Sequence, residues 1–382
     1  MESSVFFLCA LVKETKMTYN EYIKSREYAQ RVFCRYYTYY KNETGLMKMS
    51  RLSYMMKRAM KMDYRAMLKT ANMLHKKTGK SRIWLLQDMV KCAAKYNAGY
   101  IDYKIAEMYR LNDAQRATQI TRGISNSIVA RMNDKKFWHF FDNKTEFNAL
   151  FAEEVSRSWL DLTTATAEQF ADFIRNRGDI ICKPVDGSSG QGILKCTPED
   201  YDDPQALYAR LKGAGIGIVE DKVIQHEAIA ALCPTSVNTI RVATLLGDKK
   251  EGIVYAYIRI GNGKVMDNVD CGGMAAPVDI ETGAISGVGA NKAGETYEIH
   301  PMTGKKIPGT QIPYWEEAKA MCLAAMHAVP QVRFVAWDVA ITPKGPVFIE
   351  GNSFPSHAIP QFAAHFPDGI GILPRFEEFI DL

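Results

Sequence analysis

The first third of the chain carries the hydrophobic pattern of α-helices. From Leu52 to Leu68 the apolar residues recur at steps of three and four positions, which places them on one face of a helix. The same spacing returns between Trp84 and Ala94. No proline and few glycines interrupt residues 18–126, so the pattern runs on without breaks. The sequence therefore predicts a helical N-terminal segment, and we assign its many methionines and tyrosines to core packing.

From about residue 179 the pattern changes to short apolar runs separated by Gly, Pro and Asp. Runs of this length, rich in β-branched residues, are typical of buried strands. We predict strands at 179–184, 223–225, 239–246, 252–260, 334–341 and 346–350, and helices at 167–176, 204–212 and 315–328. Many strands with few helices between them favour an α+β body with mostly antiparallel sheets.

Composition adds a division of charge to this picture. The chain has 382 residues, of which 47% are hydrophobic and 24% charged, and these values exclude disordered, collagenous and coiled-coil proteins. The net charge of +5 combines +14 over residues 1–130 with −9 over residues 131–382. We therefore predict a basic helical segment at 1–130 and a separate body at 131–382. Residue types alone leave open whether the basic surface is solvated or contacts acidic lipid or nucleic acid.

The eight cysteines are scattered singly, with no CxxC pair, and the seven histidines form no HExxH motif. A disulfide framework or a zinc site is therefore not expected, and reduced cysteines favour a cytoplasmic protein. The apolar stretch from Val5 to Val12 lacks a basic flank and is too short to span a bilayer. We interpret it as a buried element or as the product of an overlong start upstream of Met17.

A glycine-rich segment, DGSSGQGI, follows the predicted strand that carries Lys183. Its backbone amides and serine hydroxyls can donate to phosphate oxygens, and the flanking Lys183 and Lys195 add positive charge. The segment matches neither a Walker nor a Rossmann motif, and a flexible hairpin tip is the alternative. The candidate phosphate ligands in it are Ser188, Ser189, Gly190 and Gly192.

Two late apolar strands carry acids. Asp338 lies in FVAWDVAI, while Glu350 and Asn352 lie two positions apart at the end of GPVFIEGN and so share a strand face. Carboxylate and amide oxygens suit Mg²⁺ that is bound jointly with substrate phosphates. Three unrelated polar residues at strand ends are the alternative. A metal would offset the cost of burying the carboxylates.

Arg241 lies within the apolar run TIRVATLL, on the same predicted strand face as Thr239 and Ala243. A buried guanidinium needs an anion, which a transferring phosphoryl group would supply. A structural ion pair is an equally good interpretation.

Taken in this order, together with the earlier FDNK, these motifs resemble the ATP-grasp superfamily over roughly residues 130–360. PTSVNTIRVAT, RIGNGKVMDNVDCGGMAAPVD and WDVAITPKGPVFIEGN are more narrowly similar to its sugar-transfer-associated subgroup, whose members tend to be associated with polysaccharide biosynthesis. YIDYKIAEMYRLN and RMNDKKFWHFFDNK resemble the lead-in of that subgroup. Asn143 stands where the family often has aspartate, and the QHE sequence replaces two acids, which leaves the ribose ligand open.

The resemblance implies an α+β ATP-grasp fold, in which two subdomains grip ATP between antiparallel sheets, preceded by the helical segment. It implies a flap subdomain at about 179–225 and a metal-binding subdomain at about 226–382. The implied nucleotide ligands are Lys144, Lys183, Lys195, the glycine-rich segment and a hinge at Gln225, His226 and Glu227. The implied metal ligands are Asp338, Glu350 and Asn352, holding two Mg²⁺ ions, for which Mn²⁺ can substitute.

By the same resemblance the reaction is ATP-dependent ligation of a carboxylate to an amine through an acylphosphate. Arg241 would stabilise the transferring phosphoryl group, and Arg259 and Asn268 would read the acceptor. The expected substrates are amino acids, sugar acids or glycans, and no nucleic acid. The basic helices would contact a glycan, a membrane or a partner enzyme. A phosphotransferase acting on a sugar or alcohol and a non-catalytic ATP-binding module are the alternatives.

Overall fold

The structure, a computed structural model, describes residues 63–187, 192–263 and 267–382. The chain divides into two compact units: the first contains Lys104 and the residues before it together with Met108–Arg110, and the second contains Ile105–Glu107 and Leu111–Leu382. The boundary that we predicted at residues 130–131 lies later along the chain than this division. The predictions for Val5–Val12 and for the pattern at 52–62 fall outside the described residues.

The first unit contains three helices among its described residues, with the last residue of the third falling in the second unit. They are α1 (Tyr64–Thr78), α2 (Arg82–Tyr96) and α3 (Tyr100–Ile105), followed by a 3₁₀ turn at Met108–Arg110. The side chain of Ser81 accepts a hydrogen bond from the backbone of Trp84 and so starts α2. Leu85, Met89 and Cys92 are buried at steps of four and three residues. The helix predicted between Trp84 and Ala94 is confirmed.

Short helices lead into the sheets of the second unit. They are α4 (Asp113–Ala117), α5 (Arg122–Met132), α6 (His139–Asp142), α7 (Lys144–Leu150) and α8 (Ala152–Val155), with a 3₁₀ turn at Lys135–Phe137. The side chain of Asn143 caps α7 by accepting from the backbone N–H groups of Thr145 and Glu146. Asparagine therefore does here what aspartate does at a helix N-terminus, since both offer a side-chain oxygen to the first turn.

A four-stranded antiparallel sheet comes next, in the order β1-β4-β2-β3. Its strands are β1 (Trp159–Asp161), β2 (Ile180–Lys183), β3 (Leu194–Cys196) and β4 (Ile218–Asp221), with helices α9 (Ala167–Ile174) and α10 (Pro204–Gly213) and a 3₁₀ turn at Pro198–Asp200. One face packs against α9 and α10, with Cys182 and Val219 in its core. Because side chains alternate along a strand, Lys183 and Glu220 stand on the opposite face.

The strand predicted at 223–225 is wrong. The strand of this region is β4, which ends at Asp221, and the chain then reaches a short helix, α11 (Glu227–Ala230). The physical reason lies in Gln225, whose amide nitrogen donates to the Ser236 carbonyl at 2.5 Å and whose amide oxygen accepts from the Asn238 N–H at 3.0 Å. These bonds hold residues 222–226 as a connection rather than as a ladder.

The large sheet has seven strands in the order β11-β10-β5-β6-β7-β8-β9, and each neighbouring pair is antiparallel. The strands are β5 (Ile240–Leu246), β6 (Glu251–Ile260), β7 (Met274–Pro277), β8 (Gly289–Ala290), β9 (Thr296–Tyr297), β10 (Phe334–Thr342) and β11 (Gly345–Asn352). The remaining helices are α12 (Trp315–Ala325) and α13 (Leu373–Glu377), with 3₁₀ turns at Val269–Cys271, Ile359–Gln361 and Ala363–His365. The four long strands predicted here are confirmed, whereas β7 to β9 have two to four residues and show too little alternation to be recognised.

The two faces of the large sheet differ in character. Val242, Trp337 and Phe348 belong to a core that also contains residues of α7, α8 and α12. Ala243 and Phe334, on the other face, belong to a second core that α5 and α13 complete. Further along this second face the register places Arg241, Asp338 and Glu350 side by side on β5, β10 and β11. One sheet face is thus apolar at one end and charged at the other.

None of the helices among the described residues combines the length and the apolar character that crossing a bilayer requires. Six cysteines lie in the described part of the chain, and all six are free thiols. Five of them are buried, as expected for small apolar side chains.

Candidate functional site

The charged face of the small sheet centres on a buried carboxylate. Glu220 on β4 forms ion pairs with the ammonium group of Lys183 on β2 and with Arg157, whose Nη2 lies 2.9 Å from Glu220 Oε2. The Glu220 and Arg157 side chains are only 5% and 6% exposed. Burial raises the pKa of Glu220, but the Arg157 and Lys183 charges outweigh this and lower it to about 2.

The depressed pKa of Glu220 predicts how stability depends on pH. Ionised Glu220 stabilises the folded state above its unfolded pKa of 4.5, and this contribution is lost as pH falls from about 4.5 towards 2. We expect Glu220→Gln to lower the free energy of unfolding by roughly 3 kcal/mol at neutral pH. Urea unfolding should show this difference from wild type shrinking steadily at more acidic pH. Glu281→Gln, at an exposed turn, is the control, and a difference as large at acidic as at neutral pH would contradict the assignment.

Lys144 is the first residue of α7, and its side chain reaches the residues that lead into the glycine-rich segment. Its Nζ donates to the carbonyls of Val185 at 3.3 Å and Gly187 at 3.1 Å. Burial lowers the pKa of Lys144, Lys183 lowers it further, and the Glu350 carboxylate opposes both. The structure therefore brings together two lysines and one carboxylate that are far apart in sequence.

Asp338 lies between two arginines on the charged face of the large sheet. Arg241 binds it bidentately, with Nε and Nη2 each 2.6 Å from a different carboxylate oxygen, and Arg259 Nη2 donates to Oδ2 at 2.7 Å. Asp338 is fully buried. Burial raises its pKa, but the two guanidinium groups outweigh burial and hold the pKa below its usual value. The anion beside Arg241 in this structure is Asp338, as the ion-pair interpretation expects, and a contact of Arg241 with a phosphoryl group stays a proposal.

Sequence reasoning missed the group that holds Arg259. Thr239 Oγ1 accepts from Arg259 Nε at 2.9 Å and from Nη2 at 2.6 Å. Asp267 Oδ2 lies 3.3 Å from Arg259 Nε and accepts from the backbone N–H of Thr239 at 2.9 Å. Burial raises the pKa of Asp267. The signal available was the charge inside VMDNVD, but a lone acid in a loop does not reveal its partner.

The predicted metal ligands fit a divalent cation in part. Glu350 Oε1 lies 4.0 Å from Arg241 Nη2, and the Glu350 side chain is 35% exposed. Asn352 donates its amide nitrogen to the Ala336 carbonyl at 3.3 Å, which leaves the amide oxygen as a ligand. Burial raises the pKa of Glu350, and Asp338 adds to the rise. The carboxylate pair therefore favours an additional cation, although the arginines already occupy Asp338.

No group of three or more His, Cys, Asp and Glu side chains with metal-binding geometry occurs at 63–187, 192–263 or 267–382. The site that we consider contains two carboxylates and one amide, and Mg²⁺ is commonly bound through one or two carboxylates plus substrate phosphates. Asp338 was expected as a third ligand, but its oxygens accept hydrogen bonds from Arg241 and Arg259 in this structure. We therefore propose that Glu350 and Asn352 would hold the ion on the protein side.

The remaining predicted nucleotide residues lie in or beside the glycine-rich segment, which the structure describes only in part. Ser188, Ser189 and Gly190 fall outside the described residues. Gly192 has a φ of +75°, and a Cβ there would lie 2.9 Å from Pro184 Cγ, so the position requires glycine. Lys195 pairs with Asp179 at 2.8 Å.

The residues predicted for the hinge and for the acceptor form hydrogen bonds with neighbouring segments or lie exposed. Gln225 bonds to the 236–238 loop as described above. His226 Nδ1 accepts from the backbone N–H of Ala228 at 3.2 Å, and Glu227 is exposed at the first position of α11. Asn268 caps the turn after it by accepting from the Asp270 N–H at 3.1 Å. Their roles towards a nucleotide or an acceptor remain proposals.

The small sheet carries Lys183 and Lys195, and the large sheet carries the row of Arg241, Asp338 and Glu350, as the resemblance to the ATP-grasp superfamily implies. Residues 124–379 match the family model described as sugar-transfer associated ATP-grasp, and the chain belongs to this family. The predicted fold class is thereby confirmed.

Solved structures of two ligases and a synthetase are similar to this chain at low sequence identity. The ligase PsnB, solved with precursor peptide PsnA2 and AMPPNP, is 15% identical, with 67% of this chain and 70% of that chain covered and a TM-score of 0.38. The D-cycloserine synthetase DcsG is 12% identical, with 71% and 80% covered and a TM-score of 0.40. The D-alanine-D-alanine ligase of Coxiella burnetii is 12% identical, with 63% and 56% covered and a TM-score of 0.37. Comparison with curated protein sequences gave no match.

Proposed function

We propose that the chain is an ATP-dependent carboxylate–amine ligase that forms an amide through an acylphosphate, in polysaccharide or amino-acid-conjugate biosynthesis in the cytoplasm. The observation that carries this proposal is the charged row Arg241–Asp338–Glu350 on the large sheet. The Glu350 carboxylate also raises the pKa of Lys144 against the effect of burial. Family membership supports the use of ATP and Mg²⁺.

The residues of this chain have distinct tasks in that reaction. Lys144 and Lys183 would neutralise phosphate oxygens, while Glu350 and Asn352 would hold Mg²⁺. Mg²⁺ would supply charge neutralisation between the carboxylate and the phosphates, which at about 4 Å repel by roughly 4 kcal/mol at an effective dielectric of 20. Arg241 would stabilise the charge on the transferring phosphoryl group. No protein nucleophile is needed, because the carboxylate of the substrate attacks.

Asp338 has a supporting task in this scheme. It fixes the Arg241 guanidinium by two hydrogen bonds of 2.6 Å, and a group held in place before the reaction costs no reorganisation during it. Arg259 is held in turn by Thr239 and Asp338. Its proposed contact with the carboxylate of an acceptor therefore requires guanidinium donors beyond those two partners.

The basic helices of the first unit are proposed to contact an anionic glycan, a membrane or a partner enzyme. Lys69, Lys76 and Lys80 are exposed on and beside α1, and clustered lysines attract anionic surfaces of each kind. No nucleic-acid contact is proposed.

Trapping the intermediate separates the ligase from a phosphotransferase. Release of ADP is first measured with amino acids, sugar acids and carboxylated glycans, and the active carboxylate is then incubated with ATP and hydroxylamine. We expect a hydroxamate, because hydroxylamine captures an acylphosphate, whereas a phosphorylated alcohol gives none. ADP release without hydroxamate would favour the phosphotransferase. No release with any substrate would favour the ATP-binding module, and omission of the carboxylate is the control.

A further inference from the structure

Arg157 is a buried arginine that has no role in the proposed reaction as described above. It follows α8 and its side chain is only 6% exposed. Its Nη1 donates to the Phe348 carbonyl at 2.6 Å, and its Nη2 lies 2.9 Å from Glu220 Oε2 and 3.4 Å from the Ile349 carbonyl. One guanidinium therefore joins strand β4 of the small sheet to strand β11 of the large sheet. Its planar fork suits two separate acceptors better than a single ammonium group would.

The carbonyls that Arg157 binds belong to an irregularity in β11. Opposite β11, Asp338 pairs with Glu350 and the next residue, Val339, pairs with Phe348, so Ile349 is an extra residue and forms a β-bulge. A bulge bends a strand and changes the direction of the side chains beside it. Glu350 follows the bulge directly, so its direction depends on the conformation that the guanidinium holds.

The other end of the guanidinium acts on Lys183. Glu220 uses one carboxylate oxygen for Arg157 and the other for Lys183. A single negative charge is thus shared by two positive charges, and the trio keeps a net charge of about +1. Because Arg157 shares the negative charge of Glu220, the positive charge of Lys183 is only partly neutralised and can attract an anion. Arg157 also restrains the position of the Glu220 carboxylate.

We infer that Arg157 is a positioning residue. It holds strand β4 of the small sheet to the bulge that sets the direction of Glu350, and so couples Lys183, which is proposed to bind phosphate, to Glu350, which is proposed to bind Mg²⁺. This inference deepens the proposed function and rests on it for one of the two measurements below. Arg157 itself contacts Glu220 and backbone carbonyls, so it acts on substrates through Lys183 and Glu350.

The test compares Arg157→Met with Arg157→Lys and a matched control, Arg177→Met. Arg177 binds Asp221, the residue after Glu220 on the same strand, through Nη1 at 2.6 and 2.7 Å. Among the described residues, Arg177 forms hydrogen bonds and ion pairs with Phe173 and Asp221 and none with β11. The control thus removes a bidentate ion pair from the same strand of the small sheet without touching the bulge, although this pair is more exposed, at 28% and 35%.

The first measurement is hydrogen–deuterium exchange on the nucleotide-free full chain. We expect Arg157→Met to speed exchange about tenfold or more in peptides covering both 345–352 and 180–183, since the link between the sheets is lost. Arg157→Lys can satisfy one end and should give an intermediate rate. Arg177→Met should leave 345–352 unchanged. Equal exchange in β11 for Arg157→Met and Arg177→Met would overturn the inference, whether or not the chain hydrolyses ATP.

The second measurement is ADP release as Mg²⁺ is titrated at saturating ATP. We expect Arg157→Met to raise the Mg²⁺ concentration for half-maximal rate about tenfold or more, with recovery of part of that loss in Arg157→Lys. A general loss of folded protein would lower kcat without this shift. An unchanged Mg²⁺ dependence in Arg157→Met would overturn the coupling. Wild type that releases no ADP would instead count against the proposed function, and the exchange measurement would still decide the role of Arg157.

Discussion

Replacing Glu350 by glutamine is expected to reduce Mg²⁺-dependent ATP turnover about a thousandfold, or roughly 4 kcal/mol of transition-state stabilisation. Glu350 is the carboxylate of the charged row that is accessible to a ligand, since its side chain is 35% exposed whereas Asp338 is fully buried. Glutamine keeps the size and one oxygen but removes the charge that a divalent cation needs. Turnover is measured as ADP release over a range of Mg²⁺ concentrations.

The same substitution should leave the protein at least as stable as wild type. Burial raises the pKa of Glu350, and the neighbouring Asp338 carboxylate adds to the rise, so ionised Glu350 costs the folded state free energy at neutral pH. Urea unfolding in EDTA tests this expectation without metal or nucleotide, and Glu281→Gln serves as the exposed control for both measurements. Normal turnover in Glu350→Gln would remove Glu350 from the proposed metal site.

The long strands and the face of the charged row could be predicted because strand alternation is a local property of the sequence. Arg241 was expected on the same face as Thr239 and Ala243, and the pairing of β5 with β10 is consistent with this. Glu350 and Asn352 were expected to share a face, and the register of β11 against β10 agrees. Asp338 was expected within the strand at 334–341 and lies inside β10, but no periodicity indicates the bulge in β11 that faces Asp338 and Val339.

The connections between the sheets could not be predicted, because they join residues with no pattern in common. Arg157 and Glu220 are 63 positions apart, and each stands alone in its segment as an ordinary charged residue. Strand β4 was not predicted for a related reason, because the glycines of the segment GIGIVED favour a loop. The VIQ run that follows was predicted as a strand instead, although hydrogen bonds hold it to the 236–238 loop. Only the folded structure shows that these charged side chains are buried and which residues they pair with.

The division of net charge proved a poor guide to the site. The acidic body pairs Lys183 and Arg157 with Glu220 at one sheet and Arg241 and Arg259 with Asp338 at the other. Local pairing at a few ångströms decides the field that a ligand meets, because interactions between distant surface charges are screened within about 10 Å in salt.

Replacing Asp338 by asparagine is expected to lower the free energy of unfolding by about 3–5 kcal/mol, whereas Glu350→Gln should not lower it. Asp338 is fully buried and accepts hydrogen bonds from Arg241 and Arg259. Asparagine keeps the shape but removes the negative charge that the two buried guanidinium groups share. Arg241 then has Glu350 at 4.0 Å and Arg259 has Asp267 at 3.3 Å, and a buried charge that loses its main partner is expensive.

The chain offers a matched control for Asp338→Asn at its surface. Asp248 also binds two arginines, with Oδ1 at 2.7 Å from Arg333 and Oδ2 at 2.5 Å from Arg131, but its side chain is 41% exposed. Water replaces a lost partner there, so Asp248→Asn should lower the free energy of unfolding far less than Asp338→Asn does. Urea unfolding of both variants in EDTA measures the difference. Equal losses in the two variants would mean that the Asp338 carboxylate is not needed to hold the arginines, and Arg241 would then have to be regarded as positioned by the sheet alone.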